Sequence, residues 1–321
     1  MEKEVFISVV IPVKNGDSWL NETISSILNQ EVDGAIEIIA IDSGSTDDSL
    51  SILSKYPVTI ININPEDFNH GLTRNLGAKL AKGKYIVMTV QDAKPANEKW
   101  LQYLLEGFDD DNVAGVCGQQ IVPHDTDKNP IDWFRPISKP GKRKYFFKDV
   151  REFDNLKPEE KKTICSWDDV NAMYRKDILL QIPFRDVSFG EDALWAKDAI
   201  QNGLSIVYNT NAQVKHYHHE TVDYTFRRSL SVHYYFYKLF GLKPKVNGYE
   251  FLHIIRNIKL LLFEKKVSWK NKLKWLIYNY KLRKASNKSI TYFNKTLTKG
   301  ERYLDEIHEI ISMNPVQAIR Q

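Results

Sequence analysis

GKYIVMTVQDAKP, residues 83–95, decides how the rest of the chain is read. A turn of small residues leads into an apolar run over 85–90, which reads as a buried strand. Gln91 and Asp92 stand where that strand ends, and Pro95 disfavours its continuation. In an open α/β sheet, ligands gather at the carboxyl ends of the strands. A carboxylate at such an end suits a divalent cation that carries phosphate oxygens. Two readings of Asp92 are open: a cation ligand, or the cap of a following helix.

Upstream, the β-branched run over 5–11 reads as a first strand, buried on both faces and closed by Pro12. Asp17 or Ser18 can cap a helix from Trp19 to about residue 29. Strands are expected over 36–41 and 58–63, and helices from Asp47 to about residue 55 and over 73–81. This alternation predicts a doubly wound α/β sheet. No Gly-x-Gly-x-x-Gly follows the first strand and no Walker lysine loop is present, which excludes those two phosphate-binding devices. Asp42, at the end of the second strand, suits hydrogen bonding to a nucleotide's base or ribose; it equally suits a plain turn.

Downstream, residues 123–162 show no period, and a lid and an ordinary surface excursion are both open readings. Order returns with SWDDVNAMYR at 166–175, followed by a second acidic centre, FGEDALWA at 189–196. Gly190 permits an unusual backbone angle, and Glu191 and Asp192 then open a helix to about Asn202. A strand over 204–208 follows, and Val214 leads into His216, His218 and His219. His216 or His218 is a candidate to complete a metal site or touch a diphosphate. Basic amphipathic helices are expected over 224–240, 251–263 and 267–282. They suit a membrane interface, an oligomer contact or a solvated appendage. No nucleic-acid module is recognisable.

A chain of 321 residues accommodates one α/β domain, placed at 1–240, and a largely helical extension at 241–321. The net charge of +4 hides an asymmetry: between Gly241 and Gly300 the only acids are Glu250 and Glu264, among many lysines and arginines. Cys117 and Cys165 form no framework and have no ligand spacing, so both are expected reduced in a cytosolic interior. The run after Met1-Glu2-Lys3-Glu4 is too short for a leader, and no stretch nears the roughly 18 apolar residues of a membrane span. The expected location is cytoplasmic, peripheral at the inner face of the cell membrane.

Two acidic centres suggest a division of labour. Asp92 would hold a metal that neutralises a diphosphate leaving group. Glu191 and Asp192 would supply a general base for an attacking hydroxyl. Direct displacement at an anomeric carbon, with inversion, needs both. Helix capping explains the charge of Glu191 and Asp192, but neither Gly190 before them nor Trp195 behind.

These residues resemble glycosyltransferase family 2, whose catalytic domains have the GT-A fold. VVIPVKN at 9–15 is similar to that family's first strand and turn, DSGSTD at 42–47 to its nucleotide-base motif, and GED at 190–192 to its catalytic-base motif. More narrowly, FNHGLTRN at 68–75, TVQDA at 89–93 and EDALW at 191–195 resemble bacterial rhamnosyltransferases, as does the stretch around Phe226-Arg227-Arg228. The likeness runs from Val5 to about Leu239. It implies a nucleotide pocket lined by Pro12, Lys14, Asn15, Asp42 and Ser43, with Asn69, His70 and Arg74 nearby. It implies Asp92 as ligand of Mg²⁺ or Mn²⁺ with help from His216 or His218, and Asp192 as base. Gln91, Trp167, Asp168, Asn171 and Trp195 would border the sugar and acceptor. One departure from the family pattern is that the first acid of its Asp-x-Asp metal motif falls on Val90. The implied reaction is inverting transfer of L-rhamnose from dTDP-L-rhamnose to a lipid-linked cell-surface polysaccharide, such as an O-antigen. A UDP- or GDP-sugar donor, a non-catalytic nucleotide-sugar binding protein and, more remotely, a nucleotidyltransferase are the competing readings.

Overall fold

The computed structural model describes residues 5–134, 140–246 and 250–313, and they fall into two compact units. The first comprises the described residues of 1–121 and 138–216, the second those of 122–137 and 217–321. The sequence reading had placed its one boundary at residue 240.

The first unit opens as the alternation requires: β1 (Val5–Val13), α1 (Asp17–Leu28), β2 (Ala35–Asp42), α2 (Ser49–Leu53), β3 (Val58–Asn62), α3 (His70–Leu80) and β4 (Tyr85–Thr89). It continues through β5 (Lys94–Pro95), α4 (Trp100–Leu105), β6 (Val113–Ile121), β7 (Lys142–Tyr145), α5 (Val150–Asp154), α6 (Pro158–Ile164), β8 (Asn171–Arg175), α7 (Lys176–Gln181), α8 (Glu191–Gln201) and β9 (Ser205–Lys215). The strands form one mixed sheet in the order β3-β2-β1-β4-β8-β6-β9-β5, with β7 also on β9. The β3-β2-β1-β4 half is parallel, β8 runs antiparallel to both β4 and β6, and β6 and β9 are parallel.

The core follows from the residues that build it. Val9, Ile11, Ile38, Ala40 and Val87 are wholly buried, as a parallel sheet covered on both faces demands. α1 turns Leu20, Ile24 and Ile27 onto that sheet, the i, i+4, i+7 spacing of one helical face. β1 runs past Pro12. Its pairing with β4 ends at Val10, so the missing N–H falls where β1 has a partner on one side only. α1 starts at Asp17 after Gly16, with no side-chain cap, so neither Asp17 nor Ser18 has the capping role expected of it. The segment from 123 to 162 is not patternless throughout: it holds β7, α5 and most of α6.

The second unit contains α9 (Val222–Phe240), α10 (Glu250–Phe263), α11 (Trp269–Leu297) and α12 (Glu301–Met313). Leu230, Phe293 and Leu304 form one buried cluster, and Trp133, Leu261, Val267 and Trp275 another. Among the described residues no helix is long and apolar enough to cross a membrane.

Candidate active site

The chemistry-bearing side chains share one edge of the sheet in the first unit. The carboxyl ends of β1, β2, β4, β6 and β9 meet there, and antiparallel β8 delivers Asp168 and Asp169 from just before its first residue.

At the β1 end two loops are joined. Asn15 has φ +49°, the one described non-glycine residue with positive φ, a conformation Asn tolerates better than most. Its N–H donates to Ser45 Oγ (2.9 Å), and its Oδ1 accepts from Thr46 N–H (2.8 Å). Asp42 is buried and accepts from the N–H groups of Gly44 (2.9 Å) and Ser45 (3.0 Å), which fixes the turn after β2. Lys14 is exposed and its Nζ reaches Ser43 O at 3.0 Å. Gln91 is buried and clamps the same backbone from β4: its Oε1 accepts from Lys14 N–H (2.8 Å) and its Nε2 donates to Lys14 O (3.0 Å).

Asp92 does not cap a helix. The chain passes it into β5, which pairs with β9 through Lys94–Lys215 and Pro95–Val214, and the next helix begins only at Trp100. That pairing sets Asp92 beside His216, with Oδ1 3.5 Å from Nε2. Gln120, on β6, determines how the imidazole is used. Its Nε2 donates to the Asp168 carboxylate, so its Oε1 faces His216 Nδ1 at 2.7 Å and accepts from it. An ionised carboxylate only accepts, which orients the amide, and the amide then places the neutral ring's proton on Nδ1. His216 Nε2, the other ring nitrogen, faces the Asp92 carboxylate. A carboxylate beside an imidazole nitrogen is a donor set that fits a divalent cation. His218, two residues further along the chain, belongs to the second unit.

The second acidic centre is buried around Arg74 on α3. Its Nη1 donates to Glu191 Oε1 at 2.7 Å, and its Nε lies 3.5 Å from Asp169 Oδ2. Burial pushes the Asp169 carboxyl up to about 7, against the pull of Arg74 and with the push of Glu191. Tyr174 donates its hydroxyl to Asp169 and accepts from Trp167 Nε1 (2.6 Å). Gly190, at φ +76°, caps the start of α8 and allows Glu191 and Asp192 to follow in the first turn. Asp192 keeps part of its surface open and makes no ion pair among the described residues. Burial, then Glu191, then Asp169, push its carboxyl well above the usual range.

Several sequence-predicted residues have other work. Glu191 is paired with Arg74, an ion pair that Asp192 does not share. Arg74 is buried against acids rather than open to a phosphate. Trp167 and Trp195 are buried, with ring centroids 5.4 Å apart, so neither offers a face to a sugar. Asn171 is also buried: its Oδ1 accepts from Trp100 Nε1, and its Nδ2 donates to Ala212 O and Gln119 O. The Gln91 amide is committed to Lys14. Asn69 caps α3 by accepting from Gly71 and Leu72, and donates to Asp186 and Val187. His70 is exposed, edge-on to Phe68. Of the five sugar-side candidates, Asp168 is the one tied to His216, through Gln120. Gln120 and Asp169 escaped the sequence reading. β6 was not recognised, so Gln120 had no strand end to stand on, and Asp169 was read only as the neighbour of Asp168.

The sequence model described as Glycosyl transferase family 2 matches residues 8–182. The chain is 32% identical over 226 residues to the O-antigen chain rhamnosyltransferase WbaN of Salmonella anatum, spanning 69% of each protein. It is 31% identical over 228 residues to the O-antigen chain rhamnosyltransferase RfbN of Salmonella typhimurium, again spanning 69% of each. Among solved structures it is similar to the mannosyltransferase PcManGT from Pyrobaculum calidifontis, in complex with GDP-Man and Mn²⁺, at 14% identity and TM-score 0.53 over 98% of this chain and 86% of that one. It is similar also to glucosyl-3-phosphoglycerate synthase from Mycobacterium tuberculosis, in complex with Mg²⁺ and UDP, at 18% identity and TM-score 0.53 over 76% and 82%. These structural likenesses establish the GT-A-like fold.

Proposed function

The chain belongs to glycosyl transferase family 2 and is a glycosyltransferase; from that premise we propose that it transfers L-rhamnose from dTDP-L-rhamnose to a hydroxyl of a lipid-linked cell-surface glycan, with inversion. What supports the donor sugar is the likeness, over two thirds of the chain, to two proteins named O-antigen chain rhamnosyltransferases. What supports the chemistry is the charge arrangement: of the two acids opening α8, Glu191 is paired with Arg74 and Asp192 is not.

Asp192 is the base. A carboxylate whose pKa is raised by burial and by neighbouring acids takes a proton from the acceptor hydroxyl more readily than an ordinary one, and its partial exposure lets that hydroxyl reach it. Arg74 holds Glu191 and Asp169 in place, so the negative charge that raises Asp192 is fixed in position. The joined loops after β1 and β2, with Lys14, Asn15, Asp42 and Ser43, receive the nucleotide, and Pro12 in β1, with Asn69 and His70 at the start of α3, borders it.

Asp92 and His216 would hold a divalent cation, Mg²⁺ or Mn²⁺, each offering one ligand atom, and His218 is the further ligand that the sequence resemblance names. When bound, such a cation supplies positive charge to the diphosphate leaving group. Gln120 orients the His216 ring for that purpose and ties it to Asp168.

The test is Asp192→Asn in a transfer assay with dTDP-L-rhamnose, alongside calorimetric binding of dTDP. The kcat should fall by about 10³, the middle of the range for loss of a general base, while dTDP affinity is retained. An active Asp192→Asn variant overturns the base assignment. Use of a UDP- or GDP-sugar in place of the dTDP donor overturns the sugar, and donor binding without transfer or hydrolysis overturns catalysis.

A further inference from the structure

α11 is apolar on two sides, and only one of them is covered. Trp275 is buried against Trp133, Leu261 and Val267. On a different face, Trp269, Leu273, Ile277 and Tyr280 recur at i, i+4, i+8 and i+11, which places them in one stripe. They are 72%, 60%, 47% and 53% exposed, and Phe263, ending α10, is 80% exposed. Isolated exposed apolar residues are ordinary, but a stripe on one helix that opens with an exposed Trp, preceded by an exposed Phe at the end of the helix before it, marks a surface that meets something.

The charges beside the stripe say what it meets. Residues 256–284 hold ten lysines and arginines and a single acid, Glu264. Glu264 is turned to its own loop, accepting from Lys266 N–H at 2.9 Å. By helical periodicity Lys270 and Lys281 flank one edge of the stripe and Lys272 the other. Lys272 lies 4.7 Å over the Trp269 ring and donates to Leu262 O at 3.1 Å, which fixes the junction between α10 and α11. An indole and a phenyl ring among long basic side chains match the boundary of an anionic bilayer, where rings and alkyl chains enter the headgroup layer and the ammonium groups meet lipid phosphates.

We propose that the stripe of Phe263, Trp269, Leu273, Ile277 and Tyr280, edged by lysines, docks on an anionic lipid surface. The proposal does not depend on the identity of the donor sugar.

The experiment is co-sedimentation of the full chain with phosphatidylcholine vesicles, with and without about one third phosphatidylglycerol, at low salt and at about 0.5 M KCl, where charge attraction is screened. The full chain should bind the anionic vesicles at least about tenfold more strongly than the neutral ones and lose that preference in high salt. A Phe263→Ser/Trp269→Ser/Leu273→Ser variant should bind anionic vesicles about tenfold more weakly or worse. Its melting temperature should be kept, because the three side chains are exposed. Equal binding to neutral vesicles, or unchanged binding by a folded triple variant, overturns the proposal. So does a concentration-dependent dimer in sedimentation velocity that the triple variant abolishes while no vesicle binding is seen, which assigns the stripe to a second copy of the chain.

Discussion

At the scale of single residues, the site depends on side chains that act through others. Gln120 touches neither a proposed nucleotide contact nor a carboxylate that takes a proton from the acceptor. Replacing it with Leu removes what fixes the His216 ring, and Mn²⁺ affinity should drop about 10–100-fold, as for other loosened ligand-orienting contacts; calorimetry on metal-free protein reads it directly. Arg74 is the counter-charge of a buried acid pair, and Arg74→Met should destabilise the fold at pH 8 by about 3–5 kcal/mol. The sign with pH is fixed by Asp169. Its native pKa of about 7 exceeds the unfolded value of about 4, so the native state holds the extra proton in between. Stability from this group is therefore full at low pH and is lost as pH rises through 7. Urea denaturation should show the Arg74→Met deficit shrinking as pH falls toward 5. The acids at 191 and 192 were legible as a pair in sequence, from Gly190 and the helix they open. The ion pair that distinguishes them was not legible from those residues alone, because it is made with an arginine more than a hundred positions away.

At the scale of elements, the parallel half of the sheet was legible and the antiparallel half was not. β1, β2, β3 and β4 are continuous apolar runs closed by turn residues. β6 was missed because it carries Gly115, Gly118, Gln119 and Gln120, which break both the apolar run and its alternation. Those features shape the candidate site. The β6–β9 register shifts between Cys117 and Gln119, and a Cβ on Gly118 would lie 2.3 Å from Ala212 O and from Asn171 Nδ2. The irregularity re-aims the strand so that Gln120 faces His216. Gly118→Ala should therefore cost about 1–3 kcal/mol in thermal or urea unfolding. It should also weaken Mn²⁺ binding, whereas a substitution felt only by the core would leave the metal isotherm unchanged. Gln91, Asn171, Trp167 and Trp195 were read as ligand contacts for a common reason. Polar and aromatic residues beside a site look alike in sequence whether they meet the ligand or hold the strands that do, and burial decides between them.

At the scale of the whole molecule, nucleotide and cation should stabilise the chain together. Thermal shift with dTDP and Mn²⁺ at 100 times the dissociation constant should register about 2.7 kcal/mol, with a smaller shift for dTDP alone and for UDP or GDP with Mn²⁺. The helical last third was legible as basic and amphipathic, but its extent was not: α11 runs to Leu297 and α12 lies beyond every helix expected there. Nor did the sequence reveal that the second unit is assembled from two separate stretches. Trp133 packs with Trp275, and Asn129 exchanges hydrogen bonds with Asn279, 150 positions later. During synthesis, Trp133 leaves the ribosome on the order of ten seconds before its partner does, at 5–20 residues per second. For that interval an indole destined for burial has no native covering, so the second unit closes its core only after the last third of the chain has been made.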